Sequence, residues 1–109
     1  MKLAPDVLNA KVQQAVEDLK QYQPQRIILF GSAARGDADE WSDLDFVVIK
    51  DTQRRFFERL KEAALLVNVP GAIDILVYTP KEWQRMQERE SPFAERVLAE
   101  GRVVYEARS

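Results

Sequence analysis

Apolar positions recur along this chain with two periods, and the alternation between them lays out the elements. From Pro5 to about Tyr22, Val7, Leu8, Val12, Ala15, Val16 and Leu19 fall at helical spacing with Lys11, Gln14 and Asp18 outside, which predicts an amphipathic helix. Pro24 ends it. Arg26 to Phe30 is then a continuous apolar run, suited to a strand covered on both faces. After a small-residue turn and a polar loop from Asp37 to Trp41, a second strand is predicted from Asp43 to Ile49. Asp43, Asp45, Val47 and Ile49 lie on one side of it, and Leu44, Phe46 and Val48 on the other. Asp51 and Thr52 offer an N-cap for a helix reaching about Val67. Its inward positions are Phe56, Leu60, Ala63, Ala64 and Val67, and Arg54, Arg55, Glu58, Arg59, Lys61 and Glu62 are expected mostly on a solvated face.

Asn68, Pro70 and Gly71 break that helix, and Ala72 to Tyr78 reads as a third strand. Thr79-Pro80-Lys81-Glu82 carries a capping-box pattern that starts a helix running to about Arg89. Ser91-Pro92 starts another, with Phe93, Val97 and Leu98 inward, and Gly101 stops it. Arg102 to Tyr105 adds a short last strand. The expected fold class is α/β (α+β): a mixed sheet of three or four strands packed with helices, in one domain spanning residues 1–109.

Composition narrows the chemistry. Hydrophobic residues make up 46% and charged residues 31% of 109 residues, ordinary for a globular domain. No apolar run approaches membrane-spanning length and the N-terminal twenty residues carry charges throughout, so the cytoplasm is expected and a membrane is not. There is no cysteine and no histidine. Disulfides, thiolate sites and the commonest general base are excluded together, and a bound metal would have oxygen ligands, favouring magnesium or manganese over zinc. A net charge of −2 and a pI near 5.2 argue against an extensive nucleic-acid surface.

The stretch with chemistry in it is Gly31 to Asp45, GSAARGDADEWSDLD. Gly31 permits a turn directly after the first strand. Ser32 reads either as a helix N-cap or as a hydroxyl facing an anion, and Ala33 to Gly36 as a short helix or a nest of backbone N–H groups. Ser42 is expected to fix the entry of the second strand. Residues two apart on a strand share a face, so Asp43 and Asp45 project together with α-carbons about 6.6 Å apart. At about 5 Å and an effective dielectric near 20 their repulsion is roughly 3 kcal/mol. A shared proton, a nearby cation, solvent or a divalent metal must offset it. Asp74 is a lone aspartate inside the third apolar run, costly to bury unless it sits at an edge or has a partner. Arg35 reads as a surface residue tied to Asp37 or Asp39.

Gly31-Ser32, ten residues, then Asp43-Leu44-Asp45 resembles the signature of the nucleotidyltransferase superfamily that includes DNA polymerase beta. With Arg35-Gly36 and Ser42 inside it, the string looks most like the minimal nucleotidyltransferases, the MNT antitoxins paired with HEPN-domain toxins in type VII toxin–antitoxin systems. The resemblance runs from Arg26 to about Tyr105, although only the motif is specific. It implies a palm-like sheet on which Asp43, Asp45 and Asp74 are catalytic and hold two Mg2+ ions, with Mn2+ as an alternative. Gly31 and Ser32 would hold the outer phosphates of ATP, with Arg35 near the nucleotide. The implied reaction is transfer of AMP to a hydroxyl, foremost a tyrosine of a HEPN-domain toxin partner. Transfer to a small molecule, within a homo-oligomer or with a partner chain completing the pocket, and a non-catalytic binding antitoxin are the alternatives.

Overall fold

A computed structural model describes residues 4–39 and 42–108; the loop reading at Glu40 and Trp41 lies outside them. Helix α1 (Pro5–Lys20) leads into β1 (Arg26–Phe30), a one-turn helix α2 (Ser32–Arg35), β2 (Leu44–Ile49), α3 (Phe56–Leu66) and β3 (Ile73–Tyr78). Helices α4 (Pro80–Glu88) and α5 (Pro92–Glu100) and strand β4 (Arg102–Glu106) complete the chain. The four strands form one mixed sheet in the order β3-β2-β1-β4. β1 runs antiparallel to both neighbours, whereas β2 and β3 are parallel and joined by the α3 crossover, as a parallel pair requires.

Both faces of the sheet are covered, which is why its central strands are almost purely apolar. On one face Ile27, Leu29, Leu44, Phe46, Val48 and Val77 pack against α1 and α3 through Leu8, Val12, Ala15, Leu19 and Ala63. On the other, Ile28, Val47 and Ile49 meet Trp83, Ala94 and Val97 of α4 and α5. Phe46 is fully buried at the centre.

The helix at Thr79 starts as predicted: the Thr79 hydroxyl accepts from the Glu82 N–H at 3.1 Å, and the Glu82 carboxylate accepts from the Thr79 N–H at 2.8 Å. Helix α3 starts later than expected, with Arg55 at the N-cap; the Thr52 hydroxyl instead accepts from the Arg54 N–H in a local turn.

Several side chains depart from the amphipathic reading. Val7, Ala64 and Leu98, expected inward, are exposed, because each lies at the margin of its helix's apolar stripe. Asp18, expected outside, is buried and accepts from the Asn68 N–H at 2.8 Å and from Gln14 Nε2 at 3.0 Å, fastening α1 to the loop after α3. Arg59, expected on the solvated face, is 6% exposed. Its guanidinium pairs with Glu82 at 2.7 and 3.3 Å and donates to the carbonyls of Val77 and Arg54. It closes part of the outer edge of β3, where a strand would otherwise leave its backbone unpaired.

Candidate active site

The sheet register brings two of the three aspartates face to face. β2 and β3 pair so that Asp45 lies opposite Asp74, and the antiparallel β1 places Phe30 opposite Asp45 on the other flank. Paired residues share a face, so both carboxylates stand on the α4/α5 side, at the end where β2 and β3 begin. Asp43 lies just ahead of β2 rather than inside it, and is exposed. Its charge still reaches Asp45. Burial, then the negative charges of Asp74 and Asp43 and a hydrogen bond shared with Asp74, push the Asp45 carboxyl up to about 6, with the Arg35 guanidinium opposing them. The repulsion anticipated between neighbouring carboxylates is therefore present and bears on the least exposed of the three.

Gly31 sits immediately beside them. Its φ of +73° is a backbone conformation that side chains disfavour, and a β-carbon there would collide with Asp45 Oδ2 and lie 3.2 Å from its Cγ. The turn is glycine for two reasons, backbone angle and room for the Asp45 carboxylate. Gly31 is also the N-cap of α2, with no side-chain cap, so Ser32 is not the cap. The Ser32 hydroxyl has no hydrogen-bond partner among the described residues, while its carbonyl accepts from the Gly36 and Asp37 N–H groups. Arg35 is exposed and lies 3.4 Å from both Asp37 and Glu100. Glu100 was not singled out from the sequence, because an acid at a helix end facing solvent carries no distinguishing pattern. Ser42 does fix the approach to β2: its hydroxyl donates to Asp39 Oδ1 and accepts from the Asp39 N–H, both at 3.0 Å.

The donors fit hard cations in kind, being all carboxylate oxygens at an open sheet end. They do not form a closed cage: among the described residues no three His, Cys, Asp or Glu side chains are gathered to hold an ion by themselves. No helix among these residues is long and apolar enough to cross a membrane.

The site is thus a mixed sheet with acidic residues opposed across its parallel strands and a glycine turn against them. The family model for polymerase beta-type nucleotidyltransferases matches residues 13–109, and the chain belongs to this family. Among solved structures it is similar to a Sulfolobus solfataricus protein provisionally assigned as a nucleotidyltransferase. The two share 16% identity with a TM-score of 0.61, over 96% of this chain and 90% of that one. It is also similar to a chain in a mutant form of the MntA–HpeT toxin–antitoxin, at 19% identity and a TM-score of 0.57, over 88% of this chain and 72% of that one. No curated protein matches it in sequence.

Proposed function

We propose that the chain is a metal-dependent nucleotidyltransferase that moves AMP from ATP to a hydroxyl of a second polypeptide. Its role would be that of an antitoxin, with a tyrosine of a HEPN-domain toxin as acceptor. The observation that carries the transferase reading is the pairing of Asp45 with Asp74 across parallel strands, with Asp43 within electrostatic reach. The antitoxin reading is supported by the motif from Gly31 to Asp45 and by the likeness to the MntA–HpeT chain.

Asp43, Asp45 and Asp74 would hold Mg2+, or Mn2+ in its place, with phosphate oxygens and water completing an otherwise open set of ligands. Bound, the ions supply positive charge where three carboxylates and a triphosphate meet. The chain's own side chains do the rest by position. Gly31 leaves space against Asp45, and the unpartnered Ser32 hydroxyl is free to donate to an outer phosphate. Arg35, already felt by Asp45, adds positive charge on the nucleotide side. In the reaction the acceptor oxygen bonds to the α-phosphorus and the α–β anhydride bond breaks. Pyrophosphate departs with the bonding electrons, and the hydroxyl proton passes to Asp74. Such transfer depends chiefly on alignment and charge neutralisation.

The test is incubation with α-labelled ATP, Mg2+ and a purified HEPN-domain partner. Label on a partner tyrosine is the expected result. Label on an added small hydroxyl compound instead would move the acceptor assignment. Tight binding with no transfer would make the chain a binding antitoxin.

A further inference from the structure

Away from the carboxylates, on the same side of the sheet, a groove of about 340 Å³ opens between the start of α3 and helix α4. Its floor is aromatic: Phe56 lies 5.7 Å from Tyr78, which in turn stacks on buried Trp83 at 5.7 Å. Met86 lines one wall, and Phe57, 75% exposed, packs edge-on against Phe56 at the rim. Two arginines one helical turn apart, Arg85 and Arg89, border it. The arginine ion pairs among the described residues involve Arg26, Arg35, Arg54 and Arg59, so Arg85 and Arg89 stand without a carboxylate. The one acid lining the groove, Glu82, is already held by Arg59, which together with the Thr79 cap keeps its carboxyl below the usual range. A chain of net charge −2 thus concentrates unneutralised positive charge around an apolar slot.

Aromatic residues, methionine and arginine are the types enriched at the centres of protein interfaces, and an arginine-rimmed apolar pocket selects an anchor with acidic neighbours. We propose that this groove is a protein-docking face for a partner segment that inserts a large apolar side chain between flanking carboxylates. The groove begins four residues along β3 from Asp74, about 13 Å, so it is separate from the carboxylates and the inference stands whether or not the chain transfers nucleotides.

Two blocked hexapeptides serve as probes, Glu-Asp-Leu-Phe-Asp-Glu and a twin with lysine at every acidic position. Each is titrated into the isotopically labelled full chain at about 50 mM salt and followed by NMR. The acidic peptide should shift the Met86 methyl and the backbone signals of α4 and bind at least about tenfold more tightly than its twin. The double substitution Arg85→Glu and Arg89→Glu, at exposed positions that leave the core untouched, should abolish that preference. Absent shifts, shifts mapping elsewhere or equal affinity for both peptides would overturn the proposal. So would ATP displacing the peptide from the same signals, which would make the groove a nucleotide site, or concentration-dependent shifts without peptide, which would make it a contact between copies of this chain.

Discussion

The two faces of the sheet solve different problems. The face under α1 and α3 is apolar across β1, β2 and β3, with Phe46, Leu29 and Val77 sealed from solvent. The face under α4 and α5 is apolar only in its middle; one end holds Asp45 and Asp74, and the other opens into the aromatic groove. Charge is tolerated on the second face because Asp45 is only partly buried and Asp74 is exposed. The larger buried cluster thus lies on one side of the sheet and the opposed carboxylates on the other.

The strongest challenge to that division is Phe46→Ala, which empties the centre of the dry face. It should cost about 3–5 kcal/mol in urea unfolding. A loss below about 1 kcal/mol would mean that this face is not the main source of stability. Asp45→Asn probes the opposite face: transfer should fall about 100- to 1000-fold in the labelled-ATP assay. Stability in divalent-free buffer should rise slightly, by less than about 1 kcal/mol, because three like charges become two. A destabilised Asp45→Asn protein would place that aspartate in the structural set instead.

Arg59→Ala lies at the boundary between the two faces and should cost about 1.5–3 kcal/mol, read from the denaturation midpoint. It should also change the pH response. Glu82 has a folded pKa below its ordinary value of 4.5, so its contribution to stability is present above that value and lost as pH falls through the lower folded value. Melting temperatures of the substituted protein should decline less steeply over this acid range. The smallest effect is expected for Leu65→Ser, at a side chain 86% exposed on α3, within about 0.5 kcal/mol of wild type.

These regions were not equally legible in the sequence. The strands, the capping box at Thr79 and the Gly31 turn follow from local rules: period, cap chemistry and backbone angle. Asp45 and Asp74 could be matched because two apolar runs separated by a helix have few ways to pair. Asp43 was assigned to β2 but precedes it, since an alternating pattern does not reveal where hydrogen bonding begins. Asp18 and Arg59 were misassigned for a deeper reason. Their distant partners, Asn68 in the loop after α3 and Glu82 on α4, are far along the chain, and helical periodicity ranks a charged residue as outward without knowing what lies beside it. The aromatic groove was equally hidden, since Phe56, Tyr78 and Met86 come from three separate elements.

The parallel pairing of β2 with β3 has a consequence for the order of assembly. A parallel neighbour reached through a crossover helix is among the slowest contacts for a chain to close. Until β3 docks, Asp45 and Asp74 are two ordinary solvated acids that do not sense each other. Their mutual repulsion therefore arises only as β3 seats beside β2, a charge cost that the apolar contacts of the same strand must offset at that step.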